Sequence, residues 1–114
     1  MDDILKKLYQ EADICEWPDL HKQFVHDALF VVSGDLDVFE IAIAIAKDNA
    51  GMISSAISSK KLNRPSGYDV ENWRKKNQRF LTLIVSPFVV VKLVDIEACG
   101  EFYNQRAKIL EGQK

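Results

Sequence analysis

Asp35–Leu62 reads DLDVFEIAIAIAKDN followed by AGMISSAISSKKL, and the reading of its centre decides the fold. Ile41–Ala46 (IAIAIA) alternates strictly, which is the period of a half-buried strand. Three features outweigh that alternation. Alanine is the best helix former and a poor strand former. Asp35 or Asp37 offers an N-cap, with Glu40 in the capping-box position relative to Asp37. Apolar or small residues also recur at Leu36, Phe39, Ile43, Ala46, Ala50, Ile53 and Ile57, and such spacings of three and four trace one helical face. The stretch therefore predicts a helical hairpin, bent at Asp48-Asn49 and Gly51, with its second helix over Met52–Lys60. Its alanines allow close approach of another element, while isoleucines spread around the helix predict deep burial.

Upstream, Asp2-Asp3 can cap a first helix over Ile4–Cys15 that turns Ile4, Leu8 and Ala12 inward. Trp17-Pro18 breaks it, because proline disfavours helix at the residue before it and fits a first helical turn. A second helix over Asp19–Ala28 places Leu20 and Phe24 inward. Leu29–Ser33 (LFVVS), ended by Gly34, predicts a short strand.

Downstream, Leu62–Asp69 (LNRPSGYD) predicts a loop, after which Asp69 caps a short helix, Val70–Gln78, with Val70 and Trp73 apolar. Phe80–Ile96 is strand-forming and broken at Pro87, which cannot donate a ladder hydrogen bond. Val89-Val90-Val91 predicts burial on both faces of its strand. Phe102, Ala107, Ile109 and Leu110 mark a C-terminal helix that frays after Gly112. The expected fold is α+β and helix-rich, one domain over residues 1–96 with a helical extension over 97–114. In it the hairpin packs on a mixed or antiparallel sheet of about three strands, covered by helices on one face.

Composition bounds the class. A chain of 114 residues with 47% hydrophobic and 28% charged residues is an ordinary globular domain, not a disordered segment. Two cysteines are too few for a disulfide scaffold, and the acidic, amphipathic N-terminus differs from a secretory leader, so reduced thiols and a cytoplasmic location are expected. The longest apolar run, Phe80–Val91, is interrupted at Ser86-Pro87 and falls short of the roughly 20 residues that span a bilayer. No membrane partner is expected.

The net charge of −2 hides an asymmetry. Residues 1–48 carry four basic and eleven acidic side chains, whereas residues 60–79 carry seven basic and two acidic. Lys60, Lys61, Arg64, Arg74, Lys75 and Arg79 form the candidate interaction surface, for an anion or an acidic partner. Helix, short helix and the basic turn KKLNRP are also compatible with a helix-turn-helix-like nucleic-acid binder over Lys60–Arg79. A pI near 5.6 weighs against it, since DNA-binding domains are usually strongly basic.

Asp35, Asp37, Glu40 and Asp48 form the best carboxylate cluster. An enzyme or metal-binding protein built on Asp37, Glu40 and Asp48 is one alternative; helix capping accounts for the same residues. His21 and His26, five apart, project about 140° apart on a helix and cannot chelate one metal together. Motifs of the HExxH, CxxC, Walker A and GxSxG types do not occur, which withdraws the usual support for hydrolase, redox and phosphate-loop chemistry. The residues therefore point to a non-enzymatic interaction or regulatory protein, with no cofactor. Its expected partners are another protein or a second copy of itself, the homodimer forming through the hairpin or the C-terminal strand with Phe88, Val89 and Val91 as apolar contacts.

Several blocks carry a family resemblance. They are Trp17 before a short helix, FVVSGDLDVFEIAIAIAKDN over Phe30–Asn49, Lys61-Leu62-Asn63-Arg64-Pro65, Trp73, and Val85-Ser86-Pro87-Phe88-Val89-Val90-Val91. In their order and spacing the chain resembles, over Trp17–Leu93, a family of small bacterial proteins known as the domain of unknown function numbered twenty-two eighty-eight. Ala56-Ile57 stands where the family leads one to expect tryptophan-leucine, and Lys60 where it leads one to expect glycine. Asp95–Lys114 lies outside the resemblance, which implies a compact cytosolic protein and brings no activity with it.

Overall fold

Ile41–Ala46 is helical. In the computed structural model, which describes residues 3–33 and 35–111, these residues complete a helix over Val38–Ala46. The Asp37 carboxylate caps it by accepting from the Phe39 amide at 2.9 Å, which satisfies a donor that no helical carbonyl can reach. Ile41 and Ala42 are fully buried, and Ile43 and Ile45 pack half-buried against the same core. Asp48 turns the chain in a left-handed conformation (φ 53°). Asn49 then caps the second arm through the Met52 amide at 3.2 Å.

The described elements run α1 (Asp3–Glu11), β1 (Asp13–Glu16), α2 (Trp17–Val25), β2 (Leu29–Val32), α3 (Val38–Ala46), α4 (Ala50–Ser58), β3 (Leu62–Asn63), α5 (Gly67–Lys76), β4 (Arg79–Val85), β5 (Phe88–Val94) and α6 (Ile96–Glu111). The sheet has five strands in the order β1-β4-β5-β2-β3. Only β2 and β5 run parallel, with Leu29, Phe30 and Val31 beside Val89, Val90 and Val91. The β4–β5 hairpin turns at Ser86-Pro87, whose peptide bond is cis.

The class is α+β as expected, but the sheet has five strands where about three are expected, a size within the common range. One added strand is Asp13–Glu16, whose first three residues fall within the expected first helix, Ile4–Cys15. The helix stops at Glu11 because Asp13–Glu16 gains a full ladder along Arg79–Thr82. The other, Leu62–Asn63, is two residues long and is specified by pairing with Val31-Val32, not by local sequence. Helices cover both faces, not one. Leu83, Val90, Val32 and Leu62 point to the layer of α1, α3, α4 and α6, whereas Phe80, Val89, Val91 and Leu29 point to α2 and α5. Successive residues of β4 and β5 thus feed opposite cores, which is why Val89-Val90-Val91 is buried throughout.

Helix boundaries shift for local reasons. α2 starts at Trp17 because Pro18 belongs to its first turn. α5 starts at Gly67 because Ser66, not Asp69, is the cap: the Asp69 amide donates to Ser66 Oγ and the Ser66 amide donates to Asp69 Oδ2. α6 lays Phe102 into the α1/α3 core, and Arg106 Nη1 donates to the Ala12 carbonyl at 3.0 Å. The Asp2-Asp3 cap, the strand stop at Gly34 and the fraying after Gly112 lie outside the described residues. No described helix is long and apolar enough to cross a membrane.

Candidate functional site

Trp17 opens α2, and Trp73 lies one helical turn from Val70 on the buried side of α5. Both helices cover the same sheet face, so residues 56 positions apart meet. The indole centroids are 5.7 Å apart at 48°. Trp73 stands edge-on to Phe80 at 5.0 Å, and Trp17 edge-on to Phe24 and His21.

Polar side chains ring this pair. Glu16 and His21 stand on the α2 side, Arg74, Asn77 and Gln78 on the α5 side, with Pro18 and the two indoles completing a cavity of about 420 Å³. Small-molecule sites fall at roughly 300–1,000 Å³. Trp17 is only 4% exposed, and its Nε1 is a buried donor with no hydrogen-bond partner. Leaving such a donor unpaired costs about 1–3 kcal/mol, so the buried indole N–H of Trp17 is a feature to be explained.

The end of α5 is built to turn sharply here. Asn77 adopts a left-handed conformation (φ 49°), and its amide and that of Gln78 both donate to the Trp73 carbonyl, the usual way of closing a helix. Gln78 Nε2 then donates to the Arg79 and Val94 carbonyls at 3.0 and 3.2 Å, bridging the start of β4 and the end of β5. A second hollow of about 730 Å³ begins at the same Asn77 and Gln78 and runs past Lys76 and Arg79 to Leu93 and Ile96. Arg74, Lys75 and Lys76 occupy the last turn of α5, where cations suit the negative helix end.

Of the carboxylates expected to cluster, Asp35 and Asp37 line one hollow, and Glu40 and Asp48 do not join them there. Asp35 pairs with Lys61 at 2.9 Å, and that hydrogen bond and charge hold its carboxyl below the ordinary range. Asp37 caps α3, Glu40 is exposed in its first turn, and Asp48 sits in the following turn. Among the described residues, no group of three or more His, Cys, Asp or Glu is placed to hold a metal ion.

The basic residues separate into two sets. Lys60, Lys61 and Arg64 flank β3 at one edge of the sheet, with Arg64 stacked over Phe30 at 5.4 Å. Arg74, Lys75 and Arg79 lie at the end of α5 and the start of β4, beside the other edge strand. The helix-turn-helix geometry fails because β3 separates α4 from α5, which pack on opposite faces of the sheet. β5, expected as a dimerisation strand, has β4 and β2 on either side and offers no edge; Val89 and Val91 are buried.

Sequence reasoning on local clusters misses Glu16, His21, Asn77, Gln78 and the two tryptophans as a site. The available signal is that the chain has two tryptophans, each on a short helix otherwise rich in polar residues.

The fold is similar to the NMR solution structure of PA1075 from Pseudomonas aeruginosa, with a TM-score of 0.72 and 23% identity over 85% of this chain and 90% of that one. No curated protein matches the sequence. The sequence profile of DUF2288, described as a protein of unknown function, matches residues 3–93. That match takes in α1 and β1 as well as both tryptophan helices. The chain belongs to the DUF2288 family.

Proposed function

We propose that this protein is a non-enzymatic interaction protein whose recognition face is the Trp17–Trp73 cleft together with the basic end of α5. One observation carries this reading: the touching indoles of Trp17 and Trp73 line a cavity rimmed by Arg74, His21 and Asn77. A concave site of this size with aromatic walls and a few polar groups at its rim is the usual form of a binding site. Tryptophan and arginine are also the side chains that dominate binding energy at interfaces. The rim supports binding better than turnover, because His21 meets the edge of an indole, not a carboxylate that would tune it as a base.

The test follows the indole N–H resonances of Trp17 and Trp73 while a panel of peptides and metabolites is added. Binding is expected to move both resonances while the added compound is recovered unchanged. A compound that is consumed, with consumption lost in His21→Ala at an unaltered melting temperature, defeats the proposal.

A further inference from the structure

We infer that the cleft and the hollow beside it form one groove that holds an extended acidic peptide segment of a partner protein, an inference that rests on the cleft being the recognition face. The two depressions share Asn77 and Gln78, so an occupant of the first continues into the second without leaving the surface. A compact metabolite uses only the cavity beside the indoles. An extended chain uses both, and the far end offers apolar contacts, since Leu93 is 40% and Ile96 77% exposed.

Charge selects the partner. Arg74, Lys76 and Arg79 line the groove, and among the described residues none of them forms an ion pair. The acids on the far wall are Asp95 and Glu97, and the Asp95 carboxylate is engaged by the Ala98 amide at the start of α6. On the near side Glu16 is set against Arg74, Lys76 and Arg79, so the net charge there is positive. A carboxylate entering beside Arg74 meets a guanidinium, and the segment that carries it lies against the indoles of Trp17 and Trp73. An apolar side chain a few residues along then covers Leu93 and Ile96. Charged contacts at a rim of this kind steer association and fix register more than they add affinity.

The experiment titrates the isotope-labelled full chain with two pooled libraries of short peptides, one with a fixed pair of glutamates and the other with a fixed pair of lysines. The glutamate pool is expected to move both indole resonances together with the Leu93 and Ile96 amides, and the lysine pool to leave them in place. Arg74→Gln, on an exposed helix end that tolerates exchange, is expected to weaken the response about fivefold. Raised salt acts in the same direction. Equal responses to the two pools, or an unchanged response in Arg74→Gln, overturn the acidic segment. A parallel titration with benzoate separates the two levels of the argument. Indole shifts with benzoate alone, without movement at Leu93 and Ile96, reject the peptide and retain the cleft as a binding face. Silence from every ligand rejects both.

Discussion

Lys92 donates from Nζ to the carbonyl oxygen of Leu36 at 2.8 Å, across 56 positions of chain. Lys92 stands beside Leu81 in the ladder, on the face that packs α3, and its ammonium reaches the loop that leads into the Asp37 cap. The bond ties β5 to the helix start on which the rest of that layer rests. Lys92→Met keeps the aliphatic stem and removes the donor, so unfolding stability is expected to fall by about 1–2 kcal/mol. Urea denaturation checks it; an unchanged midpoint means that water replaces the ammonium without loss.

Lys60 occupies the left-handed region at φ 62°, at the position where the family resemblance leads one to expect glycine. The strain comes from a Cβ crowding the backbone, which glycine lacks. Both contacts at this residue's carbonyl, from Ser33 Oγ and Asn63 Nδ2, involve backbone oxygen and survive exchange. Lys60→Gly is expected to raise stability by about 0.5–1 kcal/mol after the entropy glycine loses on folding. A lower thermal midpoint contradicts it.

Ala42 is completely buried inside α3. It lets the helix sit close on the sheet, so extra methylenes there have no space. Ala42→Leu is expected to cost about 1–3 kcal/mol by overpacking, and Ile41→Val about 0.5–1.5 kcal/mol by underpacking. Calorimetry on the two variants distinguishes close packing from a loosely filled layer, in which Ala42→Leu is neutral.

Burial pushes the Cys15 thiol above its ordinary value of 9.0, with Asp19 and Asp13 adding to the shift against a hydrogen bond with Thr82. As pH rises past 9.0 the unfolded chain loses this proton first while the folded chain keeps it. The stabilisation is therefore complete below 9.0 and is lost as pH climbs through the folded value. The melting temperature is expected to fall between about pH 8 and about pH 10. The fall should be shallower in Cys15→Ala. Tyr9, raised by burial and by Asp37, acts in the same direction at higher pH, and equal slopes in the two proteins would assign the effect to it instead.

The sequence makes the hairpin legible because caps and periodicity agree there: Asp37 and Asn49 cap the two arms, and Ile41 is buried as its pattern requires. β1 and β3 are illegible for the opposite reason. Cys15 follows Ile4, Leu8 and Ala12 at helical spacing, and Leu62-Asn63 sits in a tract of turn-forming residues. Each becomes strand only through a partner far along the chain, Arg79–Thr82 for one and Val31-Val32 for the other. The tryptophan cleft shares that difficulty. Neither Trp17 nor Trp73 lies in a cluster of chemical groups in sequence, and the layer that joins them exists only after the sheet has formed.

The parallel alignment of Leu29–Val31 with Val89–Val91 also has a consequence for biosynthesis. A nascent chain that has emerged only as far as α4 has made the whole helical hairpin but lacks the strand against which β2 must lie. Its isoleucines have no sheet to cover until Phe88–Val94 arrives, so the order of synthesis delays the closing of both cores to nearly the last element. Pairings this distant are slow to form, and the surface they leave uncovered is prone to aggregate while it waits. Premature termination anywhere before β5 is therefore expected to leave a sticky, protease-sensitive fragment in place of a smaller working domain.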